Sequence, residues 1–336
     1  MAIKNLAIFD IDGTLHKTEV MSLASFRVVC AEYALPVPDM QTLYQTYGAN
    51  EQTLMDLLGA PQDEAYRKRF YARIDEEESR QMRLVGQCYE GVQNIEFYAA
   101  APHLYLEDTT TDDVRRIARM LRAAGIQVGC FTAEQCLYPI SRASADETLR
   151  NRSLAYYEKA LAFAQELQSP LMQMISGGAL LEDDPEQSRS RSMDGICRLT
   201  KIAERAGVKL VLEADPNCTI ANTNDQLRAI REIASPQLSG MIDTNALALN
   251  GENFSTAAEL LGRDLCHVHF IDIDLPKNGM CLAPGDGTLP MKDYLKVLPD
   301  CGYTGGITPE LWGTTYHHCA QQAMEKSLAF LRENSM

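Results

Sequence analysis

One rhythm limits what this chain can become. From residue 94 onward, short β-forming runs at 94–98, 128–132, 171–176, 209–214, 241–244, 267–272 and 306–308 alternate with amphipathic helical stretches. Their starts run from 94 to 306 in six steps of about 35 residues, the spacing of βα units that lay down a parallel sheet. Between the runs, sets such as Leu154, Tyr157, Leu161, Ala164 and Leu167 recur at the helical period. Gly125 and Gly207 follow two of these stretches, as left-handed C-terminal caps require. Seven units are one short of a closed (β/α)8 barrel.

The missing strand has one candidate, the β-forming stretch 6–11, and residues 15–87 read as helical with breaks at 36–38, 48 and 59–61. A barrel takes ~250 residues, and of the 336 present about 86 remain, close to the length of that helical stretch. Two arrangements are open. In one, the N-terminal strand completes the barrel and the helices are an excursion from it. In the other, residues 1–88 are a separate small domain and 89–336 a barrel closed otherwise.

Charge narrows the partners. The 46 acidic groups against 31 basic ones give a net charge of −15, which repels phosphate backbones and anionic membrane surfaces. No nucleic-acid or membrane partner is expected. The opening stretch reads as neither signal peptide nor anchor, and nothing approaches the ~18 apolar residues of a membrane helix, so a cytoplasmic protein is expected. Ten cysteines stand singly, without a C-x-x-C pair; they read as reduced, mostly buried filler.

The C-terminal strand ends of such a barrel meet at one mouth, where active sites are built. Four runs deliver a metal-type ligand there: Glu213 ends 209–213, Asp243 ends 240–243, His269 lies in 267–270, and Glu310 follows 307–309. Strand alternation puts His267 and His269 on one face, with His269 nearer the mouth. Three carboxylates and an imidazole form an oxygen-rich set suited to Mn2+, Mg2+ or Co2+ rather than to a thiolate zinc site. The competing reading makes each acid a helix cap or a solvated loop residue; four coincidences at strand ends favour the metal.

These residues stand among others: Tyr89-Glu90-Gly91-Val92 with Ile95-Glu96, Phe131-Thr132-Ala133-Glu134 with Tyr138-Pro139, Leu212-Glu213, Met241-Ile242-Asp243, His267-Val268-His269 with Asp272, Pro284-Gly285-Asp286-Gly287, and Pro309-Glu310-Leu311. In this order, residues 89–332 resemble the sugar isomerase/epimerase family of xylose-isomerase-like TIM barrels, most closely its fructoselysine 3-epimerase type, a ketose 3-epimerase. The resemblance implies that Glu213, Asp243, His269 and Glu310 hold one divalent ion, Mn2+ first, and that Glu213 and Glu310 double as acid and base on a sugar or sugar derivative. An ion chelating a carbonyl and its neighbouring hydroxyl stabilises the charge built up when the adjacent carbon loses its proton. A carboxylate on each face of the sugar then inverts the centre, whereas one working base suits aldose–ketose isomerisation. Barrels of this family pair, which leaves a homo-oligomer open by analogy.

The chain also departs from the pattern. Pro309 before Glu310 removes a ladder hydrogen bond, so that strand should break there. Leu275 stands six residues after His269, where many free-ketose epimerases carry arginine. His103, Glu134 and His267 are candidate substrate contacts. Relatives that repair DNA hold three zincs through many histidines; the six here, His16, His103, His267, His269, His317 and His318, are too few.

The N-terminal segment has a second resemblance. Phe9-Asp10-Ile11-Asp12-Gly13-Thr14-Leu15 resembles the nucleophile motif of haloacid-dehalogenase-like phosphatases, and the helices to Gln87 resemble their cap. That implies Asp10 as nucleophile and Asp12 as acid/base. The later Ser/Thr, lysine and Mg2+-binding acids of that family are not found, which leaves phosphate charge unneutralised. The expectation is a metal-dependent sugar epimerase or isomerase whose first βα unit is phosphatase-like. A phosphatase, or an inactive fused barrel, is the alternative.

Overall fold

The computed structural model describes residues 4–5, 7–9, 18–39, 42–43, 51–85, 93–100, 104–136, 138–275, 281–311, 315–316 and 319–334. The chain forms two compact units. One comprises Met1–Phe9, Gln93–Thr315 and Ala323–Met336, the other Asp10–Val92 with Tyr316–Gln322.

In the larger unit, β1 (Lys4–Asn5) and β2 (Ala7–Phe9) precede β3 (Asn94–Ala99), β4 (Gln127–Ala133), β5 (Leu171–Ile175), β6 (Lys209–Glu213), β7 (Leu238–Asp243) and β8 (Leu265–His269). After them come β9 (Asp272–Ile273), β10 (Cys281–Leu282) and β11 (Gly306–Thr308). The strands β3, β4, β5, β6, β7, β8 and β11 are parallel neighbours in that order. The two edges left over are taken by one N-terminal stretch. β1 pairs with β11 (Lys4 opposite Gly306) and β2 with β3 (Phe9 opposite Phe97), both parallel. The expected first strand is thus in the sheet. The domain division expected at residue 88 falls within 86–92, outside the described residues.

The helices between strands begin as their sequences dictate. Thr110 and Asp113 form a capping box for Thr111–Ala123, Asp146 caps Glu147–Glu166, and Asp184 caps Pro185–Ala206 with Pro185 in the first turn. Gly125 and Gly207 adopt φ of 72° and 68°, the left-handed conformation expected of them. Along each strand one parity faces the barrel interior, where Cys130, Val211 and Met241 pack together with Leu171 beside them. The other parity faces the helices, as in the stack of Phe97 on Phe131 at 6.0 Å.

Strand β8 is shorter than the expected 267–272 and ends at His269; Asp272–Ile273 pairs instead with Cys281–Leu282 in an antiparallel hairpin. Asp272 is the reason for that hairpin's shape. Its fully buried carboxylate accepts the backbone N–H groups of Ile273, Gly285, Gly287 and Leu289 at 2.9–3.0 Å. A Cβ on Gly287 would stand 2.3 Å from Asp272 Oδ1, so only glycine fits there. Asp272→Ala leaves four amides without their acceptor, and urea denaturation is expected to show a loss of about 3 kcal/mol or more.

The smaller unit has its own core. Phe26, Val29 and Cys30 of helix Thr18–Glu32 pack with Leu54 and Met55 of Glu51–Leu57 and with Phe70 and Ile74 of Glu64–Val85. Arg73 joins two of these helices through Glu32, at 2.9 and 2.8 Å. Asp10 and Asp12 lie outside the described residues.

Candidate active site

Two residues beyond the apolar layer, four strands turn polar on the same inward face. Cys130 is followed by Thr132, Leu171 by Gln173, Val211 by Glu213 and Met241 by Asp243, while β8 is polar at both levels, with His267 and then His269. This alternation carries the chemistry to the C-terminal ends of the strands, where the loops open.

Glu213, Asp243 and His269 each bring one donor atom within 4.8 Å of the others. Glu310 joins them from just past β11, which stops at Thr308, ahead of Pro309 as expected. Its Oε2 lies 3.0 Å from His269 Nδ1, and Asp243 Oδ2 lies 3.7 Å from the same nitrogen. Glu310 thus adjoins the group of three through His269. Asp243 also answers the cap reading: its Oδ1 accepts the Ala246 N–H at 2.6 Å and caps helix Thr244–Leu249, while Oδ2 faces His269. One oxygen thus caps the helix and the other is left facing the imidazole.

Beneath the four lies a carboxylate to which sequence reading assigns no role. Glu96, fully buried on β3, meets His267 Nε2 at 2.6 Å and His269 Nε2 at 3.2 Å and accepts the Thr132 hydroxyl. By holding Nε2, it turns Nδ1 of His269 toward the mouth. His267, expected as a substrate contact, sits in this lower layer, fully buried and 3.3 Å from Thr308 Oγ1. Glu134, 4% exposed, accepts the Tyr98 hydroxyl and, at 2.6 Å, the Cys136 N–H. His103 lies outside the described residues.

Electrostatically the cluster is short of positive charge. Burial, then the carboxylates of Asp243 and Glu310, push Glu213 well above the usual carboxylate range against the pull of His269. Burial and Glu310 raise Asp243 to about 7, with His269 opposing. Burial works against a charged His269, but Glu310 and Glu96 on either side hold it well above the usual imidazole range. Glu96 itself stays well below the carboxylate range, because both histidines outweigh the cost of its burial.

The donor set suits a divalent cation. His269 Nδ1 is buried and makes no hydrogen bond of acceptable geometry although two carboxylates stand near it, as a nitrogen aimed at an ion would. The group of Glu213, Asp243 and His269 contains no cysteine, so the set is hard and oxygen-rich.

Comparison with known proteins identifies relatives of both segments of the chain. Residues 89–334 match the family described as xylose isomerase-like TIM barrel, and residues 7–127 match haloacid dehalogenase-like hydrolase. The chain is 27% identical over 252 residues to fructoselysine 3-epimerase of Escherichia coli O157:H7, covering 73% of this chain and 90% of that protein. Among solved structures, a D-tagatose 3-epimerase-like protein superposes with a TM-score of 0.60 at 20% identity, over 72% of this chain and 90% of its own. The IOLI protein, solved with a bound zinc atom, superposes with a TM-score of 0.62 at 18% identity, over 73% and 88% of the two chains.

Proposed function

Since the chain belongs to the xylose isomerase-like TIM barrel family, we propose that it is a divalent-metal-dependent sugar epimerase or isomerase, of the ketose 3-epimerase kind, acting by proton transfer at the carbon beside a ketose carbonyl. One observation carries the reading: donor atoms of Glu213, Asp243 and His269 lie within 4.8 Å of one another, with Glu310 3.0 Å from His269. Glu213, Asp243, His269 and Glu310 would hold the ion, Mn2+ first and Mg2+ or Co2+ next. When bound, it supplies the positive charge that stabilises oxygen as the substrate loses its proton. Glu213 and Glu310 are the acid and base. They come from β6 and from beyond β11, with β7 and β8 between them in the sheet, so the two carboxylates approach from different sides of the ring of strands. One takes the proton and the other returns it; that exchange inverts the centre.

Glu96 keeps His269 in place from below, and His267 completes that support rather than touching sugar. Glu134 and His103 remain proposed substrate contacts. The supported partner is a small sugar or sugar derivative. Among the described residues no helix is long and apolar enough to cross a membrane.

The test is a panel of ketoses and glycated sugars incubated with Mn2+-loaded protein and read by NMR for epimerisation at C3. Turnover of at least one is expected. A second reading, phosphatase chemistry at Asp10 and Asp12, draws on the match of residues 7–127; Mg2+-dependent phosphate release with no turnover in the panel would favour it.

A further inference from the structure

Behind Glu213 runs a line of buried amides that the proposed chemistry does not use. Tyr157 donates its hydroxyl to Gln135 Oε1, Gln135 donates from Nε2 to Gln173 Oε1, and Gln173 donates from Nε2 to Glu213 Oε2. Gln135 and Gln173 are 5% and 4% exposed, deep enough that each lost partner carries the full cost of an unsatisfied buried group.

The direction of this line is set at its far end. The Ile175 backbone N–H, which can only donate, lies 2.9 Å from Gln135 Oε1. That oxygen must therefore face Ile175, which turns the Gln135 amide nitrogen toward Gln173. The Gln173 carbonyl must then face Gln135, and its nitrogen must face Glu213. The fully buried Tyr157 ring is held in turn by the Arg142 guanidinium, 4.0 Å over its centre.

We infer that Gln135 and Gln173 are positioning residues forming a one-way relay that fixes Glu213 Oε2 as a hydrogen-bond acceptor and leaves Oε1 as the oxygen that faces the ion and exchanges the substrate proton. The inference rests on the reading of Glu213 as ligand and acid/base. A backbone N–H on β5 thus sets the orientation of a carboxylate on β6 through two neutral side chains. Neither glutamine is a catalytic residue, because neither touches the reacting atoms.

The relay is serial, and that separates it from simple packing. Mn2+ titrated calorimetrically into the full-length protein should bind Gln173→Met about 10- to 100-fold more weakly than wild type. Gln135→Met, which contacts neither Glu213 nor the ion, should weaken binding about 3- to 10-fold. The double variant should be no weaker than Gln173→Met alone, since cutting the relay twice removes nothing more. With an active ketose in hand, the same variants should lose kcat more than KM. Losses that add across the two sites, or wild-type affinity in Gln173→Met, would overturn the relay while leaving the metal site intact. If Gln173→Met does not fold, wild-type affinity in Gln135→Met overturns it equally. A wild-type protein that binds no divalent ion removes the underlying reading of Glu213, and the relay with it.

Discussion

Glu213→Gln is expected to reduce kcat/KM for ketose epimerisation by about 10³-fold or more while the protein stays folded. Loss of a positioned acid/base group removes ~10²–10⁴-fold, and a threefold-decade loss is about 4 kcal/mol of transition-state stabilisation. The substitution is nearly isosteric, and the Gln173 amide that donates to Oε2 still finds an oxygen to meet. Glu213 also stands among like charges, since Asp243 and Glu310 both push its pKa upward. Neutralising it relieves that repulsion. Thermal unfolding of the ion-free variant should therefore occur at or above the wild-type temperature, the pattern of a site that gives up stability for activity. Asp10→Asn should leave ketose turnover unchanged. Retained epimerisation in Glu213→Gln would remove that residue from the mechanism.

The barrel was legible because its signals are local. Strand runs fall within a few residues of their expected places, since alternation and βα spacing are read from neighbours in the chain. Misplaced edges have physical reasons: β7 begins at Leu238, ahead of the expected 241, because Leu238, Ser239 and Gly240 are all buried in the sheet. The apparent continuation of β8 past His269 consists of buried loop residues, Phe270 and Ile271, leading to the hairpin that Asp272 organises. The residues that meet at the mouth were legible too, being acids and an imidazole at strand ends. The family resemblance read from those motifs agrees with the match over residues 89–334.

The support beneath the site was not legible. Glu96 meets partners 171 and 173 residues away in the chain, and nothing local to Ile95-Glu96-Phe97 names them. Its signal was a charged side chain inside an otherwise apolar strand, which is costly unless paired. Gln135 and Gln173 carry no charge, so only the fold reveals what they face.

On the proposed reading, removing divalent ions should abolish turnover and soften the protein, because the pocket gathers carboxylates with little positive charge to balance them. Three carboxylates crowd one imidazole, and Asp243 is held at about 7 by burial and by Glu310, against the opposing pull of His269. Without a cation the cluster carries its own repulsion; with one, each carboxylate gains a counter-charge. Binding adds RT ln(1 + [L]/Kd) to stability, ~2.7 kcal/mol at a free ion concentration of 100 times Kd. For a barrel of this size that is roughly 5–10 °C in Tm. Protein dialysed against a chelator, and shown metal-free by elemental analysis, should unfold earlier by about that interval and turn over no ketose. Mn2+, Mg2+ or Co2+ should restore both properties, because each is compatible with a set of carboxylate oxygens and one imidazole. Restoration should fail in Asp243→Ala, which removes a ligand and the cap of helix Thr244–Leu249 together, yet succeed in Asp243→Asn at lower affinity, since the amide oxygen still caps and a neutral ligand remains. Full activity in verified metal-free protein would separate Glu213 and Glu310 from any ion and leave them as an acid/base pair alone.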